Sequence, residues 1–452
     1  MENKDFLAEE PIGRLLFRLS VPTVAAQIIN MLYNIVDRIY IGHMEGTGAL
    51  ALTGVGVCMP LIMIVSAFAC LVGNGGAPRA SILMGSGKKE QAEQILGNCF
   101  TTLFIISVVL TAVMFFGNRT FLMVFGASEN TIGYATAYMN IYALGTIFVQ
   151  MTLGMNSFIT AQGFAKTGML SVLIGAVSNI ILDPIFIFAF NMGVRGAALA
   201  TIISQAFSCI WVLVFLFGKK TTLRIRPENL RLKPEVIFPC MALGSSYFIM
   251  QASESILNVC FNSSLLKYGG DIAVGAMTIL SSVMQFAMLP LQGMGQGAQP
   301  IMSYNYGAKN IARVKQTFLM LAKINLAFSV FIWLMVMLFP TGFAALFTSD
   351  AELIAFTGTA LRVYMGGTAI FGIQMACQAA FNALGQAGSS IVVAVVRKFV
   401  LLIPIIYIMP AVFTADQTMA VYMAEPVADV LAVTFTAVLF AVKSKKFFRL
   451  QE

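Results

Sequence analysis

Charged residues and histidine are scarce in this sequence. Of its 452 residues, 11% are Asp, Glu, Lys or Arg and only one, His43, is histidine, whereas soluble domains carry about 25% charged residues. A single histidine excludes a multi-histidine metal site and offers little to Ser-His-Asp or Cys-His catalysis. The seven cysteines lie in apolar stretches without C-x-x-C spacing, which indicates buried thiols rather than a disulfide framework.

Apolar residues dominate the chain instead. They make up 58% of it, and the mean hydropathy of +0.85 leaves too little polar material to cover soluble domains of this length. Apolar runs of about 20 or more residues predict an all-α integral membrane protein with twelve transmembrane helices. The predicted helices 1 to 12 span residues 16–41, 50–84, 91–117, 129–162, 166–190, 195–218, 235–265, 272–305, 310–340, 351–385, 388–413 and 417–442.

The net charge of +8 follows from membrane topology. Nineteen Lys and Arg residues fall in the connections on the side of the N-terminus, and only Arg119, Arg195 and Lys267 fall on the other side. By the positive-inside rule, both termini are predicted to be cytoplasmic. The positive charge therefore indicates no nucleic-acid partner.

An internal repeat divides the chain into two halves. The segment Gly-Asn-Gly-Gly-Ala-Pro at 73–78 recurs as Gly-Gln-Gly-Ala-Gln-Pro at 295–300, a shift of 222 residues. We therefore predict an N-lobe at 1–218, a basic cytoplasmic linker at 219–234 and a C-lobe at 235–452. Two parallel six-helix lobes usually enclose a cavity, which favours an alternating-access transporter over a duplicated scaffold that transports nothing.

Polar side chains recur at helical spacing inside three predicted helices. An ionisable residue at the centre of a span costs about 2.5 to 3.5 kcal/mol and so needs a partner, a cavity or a function. The polar residues are Gln27, Asn30, Asn34 and Asp37 in helix 1, Asn179 and Asp183 before Pro184 in helix 5, and Gln251, Glu254, Asn258 and Asn262 in helix 7.

The carboxylates of these stripes fall in the outer half of the predicted bilayer. Asp37, Asp183 and Glu254 lie about 25–30 Å from the cytoplasmic starts of their helices, and Thr201 about 9 Å from the outer start of helix 6. Oxygens at similar depth can bind sodium or share a proton. The structural alternatives are pairing of Asp37 with Arg38 or Arg195 and a purely structural role for Asp183.

Basic residues inside the predicted helices of the second half can form structural ion pairs. Lys323, Arg362, Arg397 and Lys398 can neutralise Glu254, Glu425 or Asp429, so Glu254 is either a cavity residue or an ion-pair partner. Glu425 before Pro426 repeats the acid-before-proline pattern of helix 5 and is a weaker second candidate site. The glycines at 293–297 lack P-loop spacing, so we predict no ATP site and expect an ion gradient to supply the energy.

Four motifs form one pattern through the chain: Asn34-x-x-Asp37 followed by Ile41-Gly42-His43, Gly75-x-x-Pro78 with its copy Gly297-x-x-Pro300, Asn179-Ile-Ile-Leu-Asp183-Pro184, and Gly193-Val-Arg-Gly196-Ala-Ala-Leu-Ala-Thr201. In their order, spacing and duplication, these motifs resemble the multidrug and toxic compound extrusion (MATE) family, most closely its bacterial MepA-type branch. The likeness covers nearly the whole chain.

The resemblance implies a function and a site. It implies an efflux antiporter of the bacterial cytoplasmic membrane that exports cationic amphipathic drugs and dyes in exchange for protons or sodium, as a monomer and without a cofactor. The implied cation-coupling residues, which are also the metal ligands if sodium is the ion, are Asp37, Asn179, Asp183 and Thr201. The implied substrate-binding residues are Tyr33, Asn34, Asn156, Gln251, Glu254 and Asn258.

The resemblance is incomplete in the C-lobe. Relatives with a C-lobe sodium site also use an acid in helix 10, where this sequence has Ile373 and Gln374, so we place ion coupling in the N-lobe and assign Glu254 to the drug. The main alternative is a flippase for lipid-linked saccharides from a related superfamily, which needs a more cationic cavity; Arg397 and Lys398 are the hint of one. An intramembrane aspartyl protease would need paired Asp motifs, which Asp183-Pro184 does not supply.

Overall fold

The computed structural model describes residues 6–449, and within that range its regular elements are all helices, with no strand. Among the described residues, nine helices are long and apolar enough to cross a membrane, and two bent pairs of shorter helices add two more spans. The longest of the nine contains a break, because Gly270 adopts φ +67° and ψ −160°. Twelve spans result, in agreement with the sequence prediction.

We number the spans α1 to α12 in chain order. Three short helices, Phe6–Glu9, Pro227–Asn229 and Pro340–Ala345, lie outside them. The spans are α1 Ile12–Gly42, α2 Gly48–Gly85, α3 Lys89–Val124, α4 Ile132–Leu144 with Thr146–Ala161, α5 Ala165–Pro184 with the π-helix Ile185–Ala189, α6 Val194–Phe217, α7 and α8 the parts of Pro234–Gly307 before and after Gly270, α9 Ile311–Leu338, α10 Ala351–Tyr364 with Thr368–Ala383, α11 Ala387–Val395 with the π-helix Val396–Leu402 and Ile403–Val412, and α12 Gln417–Arg449.

The predicted single helices 4 and 10 are each two helices in the structure. The two parts of α4 meet at Gly145 with a bend of 58°, and those of α10 are bent by 50°. Apolar content is continuous across both bends, so a hydropathy reading cannot reveal them. The seven cysteines are free thiols, as predicted.

The two ends of the helix bundle are packed differently. We call the end with the connections 86–88, 218–233 and 308–310 the basic end, and the other the opposite end. At the opposite end, one apolar core contains only residues from Ile41 to Ala198 and another only residues from Leu257 to Ala428. At the basic end the cores cross between halves: Leu15 and Leu19 join the second half, and Cys240 joins the first.

Glycines bring the backbones of the two halves into direct contact at the basic end. A Cβ on Gly85 would lie 1.9 Å from the carbonyl oxygen of Tyr304, and one on Gly307 would lie 1.9 Å from that of Ile82. Both pairs, Gly85 with Gly307 and Ile82 with Tyr304, are related by the 222-residue repeat. The contact is therefore reciprocal, as expected for two pseudo-symmetric lobes.

Hydrogen bonds between α1 and α8 add to this contact between the halves at the basic end, which we call the seal. Thr23 Oγ1 donates to the carbonyl oxygen of Gly293 at 2.6 Å, and Gln27 Nε2 donates to Gln296 Oε1 at 3.1 Å. The halves are thus joined at the basic end, and their apolar cores are separate at the opposite end.

The basic linker packs on the first half. Gln162 Oε1 accepts hydrogen bonds from Thr221 Oγ1 at 2.9 Å and from the backbone N–H of Leu223 at 2.7 Å. Glu93, which is 3% exposed, accepts from the N–H of Arg224 and pairs with Arg226 at 2.8 Å. The predicted lobe boundaries at residues 218 and 235 stay a prediction.

Candidate functional site

The four residues predicted to couple ions come together near the opposite end of the first half. Asn179 Nδ2 lies 3.5 Å from Asp183 Oδ1 and 3.5 Å from Thr201 Oγ1. The carboxyl groups of Asp37 and Asp183 interact directly with each other. Asn179 and Asp183 are 1% and 0% exposed. We call these four residues the carboxylate cluster.

Oxygen atoms in the carboxylate cluster lack partners. Asp37 Oδ1, Asn179 Oδ1 and Asp183 Oδ2 are buried and accept no hydrogen bond. Thr201 Oγ1 donates to the carbonyl of Ala197 at 3.0 Å and faces Asn179 Nδ2 at 3.5 Å. Two neighbouring carboxylates repel each other unless a proton or a cation lies between them. The donor set fits a sodium ion or a shared proton.

The helices place the residues of the carboxylate cluster at similar distances from the opposite end. Asp37 is about 8 Å from the opposite end of α1, and Asp183 about 9 Å from that of the π-helix that ends α5. Thr201 is about 10 Å from the start of α6. Pro184 cannot donate to the Ile180 carbonyl, and directly after it the helix changes to the π form, which is frequent at functional sites.

The structural alternatives for Asp37 are not seen. Arg38 acts electrostatically on Asp37, but within residues 6–449 neither Arg38 nor Arg195 forms an ion pair with it. Asp183 is therefore the acid that the Asp37 carboxyl group contacts in the cluster.

Two residues near the cluster were missed by sequence reasoning. Tyr138 on α4 interacts with Thr201 and Asp37, and it stacks on Tyr142 with ring centroids 6.2 Å apart. Gln205 on α6 interacts with Tyr33. Gln205 lies four residues after Thr201 and so on the same face of α6, and that spacing is a signal that could have identified it.

The predicted substrate residues of the first half occupy two places. Tyr33 interacts with Asn34, whose Nδ2 donates to the Asn30 carbonyl at 2.7 Å, close to the carboxylate cluster. Asn156 lies about 8 Å from the basic end of α4, where its Nδ2 donates to the Gly168 carbonyl at 3.3 Å and its Oδ1 is buried without a partner.

The predicted substrate residues of the second half follow α7. Gln251 is half-buried and Asn258 is exposed. Glu254 is held by Lys398, whose Nζ donates to Glu254 Oε1 at 2.6 Å. Its side chain nevertheless remains 44% exposed, so Glu254 is an ion-pair partner, and its predicted role in the substrate cavity stays a prediction.

Ion pairs neutralise Arg397 as well. Its guanidinium lies 3.0 Å from Asp429 Oδ1 and 3.4 Å from Glu425 Oε1, and it covers the Phe371 ring at 4.4 Å from the centroid. The ion-pair prediction is therefore confirmed for Arg397 and Lys398, and Glu425 is one of the partners. We call Glu254, Arg397, Lys398, Glu425 and Asp429 the ion-pair cluster.

The ion-pair prediction is wrong for the other two basic residues. Within the described chain, Lys323 is exposed and has no ion pair, and Arg362 Nε donates to the Met337 carbonyl at 3.1 Å instead. Lys323 lines an apolar pocket with Phe440 and Ala441, which lie further along α12 than Glu425 and Asp429.

The helix 10 position offers no acid to the ion-pair cluster. Gln374 is buried, and it lines a narrow pocket with Gln378, Arg397 and Lys398. The amide oxygens of both glutamines have no hydrogen-bond partner. Within residues 6–449, no group of three or more His, Cys, Asp or Glu is placed to hold a metal ion.

Comparison with known proteins places the chain in a family. The multidrug export protein MepA of Staphylococcus saprophyticus is 24% identical over 415 residues, which cover 90% of this chain and 89% of that protein. A solved structure described as the outward-facing conformation of a multidrug resistance MATE family transporter of the MOP superfamily matches with a TM-score of 0.92 and 23% identity over 99% of both chains.

A second solved structure shares the fold under a different description. A MOP superfamily transporter from Pyrococcus furiosus, whose binding pocket is described as having reverse polarity and suggesting a different function, matches with a TM-score of 0.91, 23% identity and 99% coverage of both chains. The profile of the MatE family matches residues 22–185 and 247–408, one segment in each half. These segments make up most of the sequence, and this chain belongs to the MatE family.

Proposed function

We propose that this protein is a secondary active multidrug efflux antiporter, a transporter and not an enzyme, that exports organic cations in exchange for protons or sodium. The observation that carries the proposal is the carboxylate cluster, in which Asp37 and Asp183 interact next to unpartnered oxygens. The cluster lies near the end where the two halves separate. Membership of the MatE family and the names of relatives such as MepA support export of drugs.

The cluster explains how an ion gradient can drive export. When a proton or sodium ion enters from the opposite end, it removes the repulsion between Asp37 and Asp183 and lets the helices that carry them approach. When it leaves toward the basic end, repulsion returns and favours separation. When one monovalent cation leaves for each ion that enters, no net charge crosses the membrane, so the concentration gradient of the ion supplies the energy, about 1.4 kcal/mol for each tenfold difference in concentration.

We further propose that the basic end faces the cytoplasm of a bacterium. The nineteen basic residues in the connections on that side support this orientation. The conformation described above then opens outward, the state in which a drug is released and a coupling ion is taken up. Cationic amphipathic molecules and the bilayer are the expected partners, and each chain contains both clusters, so a monomer suffices.

The drug-binding surface is proposed to lie between the two halves. Tyr33 and Asn34 border the carboxylate cluster, and Glu254 offers an exposed carboxylate on α7. Aromatic faces and carboxylates attract organic cations together. Asn156, Gln251 and Asn258 complete the proposed set as polar contacts.

A saccharide-lipid flippase has less support. Such a protein needs free cations for pyrophosphate, yet Arg397 is paired with Asp429 and Glu425, and Lys398 with Glu254. The ion-pair cluster is acidic by formal charge rather than basic, so no observation favours the flippase.

Ethidium export in proteoliposomes tests the proposal. Wild-type protein should release the coupling ion when ethidium is added, under an imposed proton gradient or an imposed sodium gradient, and the gradient that responds identifies the ion. Asp183→Asn and Asp37→Asn should each lose this coupling. Asp271→Asn is the matched control, because Asp271 is an exposed acid at the start of α8; it should behave as wild type.

Two results would overturn the proposal. If ethidium causes folded wild-type protein to release neither protons nor sodium, ethidium is not a substrate and the proposal of coupled cation export is wrong. If both cluster variants retain full coupling at equal protein amounts, the carboxylate cluster is not the coupling site.

A further inference from the structure

The ion-pair cluster contains more negative than positive groups. Three carboxylates, Glu254, Glu425 and Asp429, face two cations, Arg397 and Lys398. Arg397 lies between the two acids of α12, and Lys398, the next residue on the π-helix of α11, reaches α7 instead. Formally, the cluster therefore carries one negative charge that no residue in it balances.

Exposure differs sharply within the cluster. The side chains of Arg397, Lys398, Glu425 and Asp429 are between 1% and 10% exposed, whereas the Glu254 side chain is 44% exposed. An incoming cation can therefore reach Glu254 before any other acid of the cluster. Its Oε1 is occupied there by the Lys398 ammonium at 2.6 Å.

The buried side of the cluster offers Lys398 an alternative partner. Asp429 Oδ2 is buried and accepts no hydrogen bond. Lys398 already acts electrostatically on both Glu425 and Asp429. If its ammonium turns from α7 toward α12, two cations balance two acids and Glu254 is left alone.

We propose that Lys398 is a built-in competitor for the transported cation: it occupies Glu254 when the site is empty and moves to the acids of α12 when a cationic substrate binds Glu254. This inference rests on the proposed export of organic cations and adds a specificity-determining residue to it. The cluster then binds one monovalent cation at charge balance. A neutral molecule cannot replace the ammonium at Glu254, so cations are selected.

The change of partner of Lys398 also explains how the substrate is released. In the outward-opening state, a bound cation leaves Glu254 as the Lys398 ammonium returns to it, so the protein supplies the ion that replaces the substrate. An exposed carboxylate without a competitor would hold an organic cation more tightly and release it more slowly.

Binding of ethidium to the purified protein at pH 8 tests the competition. Lys398→Gln removes the competing charge and keeps a hydrogen-bond donor of similar length. We expect it to bind ethidium about tenfold more tightly than wild type, the scale of a close charge pair, and to release it more slowly. Lys398→Arg should stay near the wild-type affinity.

Matched variants separate this effect from a general change of charge. Lys323→Gln removes the same charge from the same half at an exposed position that has no ion pair in the described chain, and it should leave the affinity unchanged. Adding Glu254→Gln to Lys398→Gln should abolish the gain. Butylammonium should return the affinity of Lys398→Ala toward that of wild type by filling the space of the missing side chain.

The outcomes distinguish this inference from the proposed function. If Lys398→Gln binds ethidium as wild type does or more weakly, while wild type exports it, Lys398 only supports the structure and the inference is wrong. If the variant does not fold, the butylammonium dependence of Lys398→Ala decides, and absence of any such dependence overturns the inference. Failure of wild type to bind ethidium would overturn the proposed function instead.

Discussion

Adding one methyl group at Gly244 should open the seal at the basic end. A Cβ there would lie 1.8 Å from the carbonyl oxygen of Leu71 on α2. Ordinary contacts of a Cβ are longer than 3.0 Å, so α2 and α7 must separate by at least about 1.2 Å. A backbone carbonyl cannot turn aside as a flexible side chain can, so the strain falls on the packing of the two halves.

The magnitude follows from the cost of overpacking. Inserting a methyl group into a well-packed contact typically costs about 1 to 3 kcal/mol. If the state closed at the basic end alone bears that cost, Gly244→Ala shifts the balance of conformations by about 5- to 150-fold toward opening at that end. Ethidium export should slow accordingly, because the outward-opening state becomes less populated.

Spin labels at Gln91 and Gln316, both exposed at the basic end, can measure the separation of the halves in lipid nanodiscs. The control is Gly56→Ala, since a Cβ at Gly56 on the same α2 helix meets no atom within 4 Å. We expect a longer label distance only in Gly244→Ala. Equal distance distributions in the two folded variants would refute the reasoning that this glycine contact closes the basic end.

Three further changes test separate contacts. Thr23→Val removes the 2.6 Å hydrogen bond to the Gly293 carbonyl and should weaken the seal by about 0.5 to 1.5 kcal/mol, seen as a smaller shift in the same label distances. Tyr138→Phe keeps the aromatic ring and loses the hydroxyl group near Thr201. The coupling-ion concentration that gives half-maximal export should therefore rise about 2- to 10-fold. An unchanged concentration would show that Tyr138 is not part of the site. Glu93→Gln removes the charge that pairs with Arg226 of the linker, and it should lower the free energy of unfolding by about 1 to 3 kcal/mol. An unaltered melting temperature would contradict a stabilising role for this ion pair.

Helix positions could be predicted from the sequence because lipid imposes a length on every span. The limits of α5 and α9 differ from the prediction by two residues or fewer, at 165–189 and 311–338. The bends in α4 and α10 could not be predicted, because packing sets them and hydropathy is the same on both sides. The break at Gly270 was placed correctly, since the predicted helices 7 and 8 end and begin on either side of it.

The carboxylate cluster could be predicted for a similar reason. Asp37, Asn179 and Asp183 are polar residues in apolar helices, and equal depth brings them to one level. The ion-pair cluster could be predicted only in part. Which acid Lys398 contacts depends on the rotation of α11, and the π-helix there shifts the direction of the residues in a way that a 3.6-residue period does not describe.

In both halves, one helix carries a charged cluster residue and also contacts the other half at the basic end. On α1, Thr23 contacts α8 at the basic end, and Asp37 of the carboxylate cluster lies about 21 Å further along the same helix. On α7, Gly244 contacts α2 at the basic end, and Glu254 of the ion-pair cluster lies about 15 Å further along. Each helix is continuous between its two points, so we expect a change of charge at one point to affect the contact at the other. In the proposed antiport, ion binding on α1 and substrate binding on α7 therefore act on the same seal from opposite sides, which is the physical requirement for an exchange of the two.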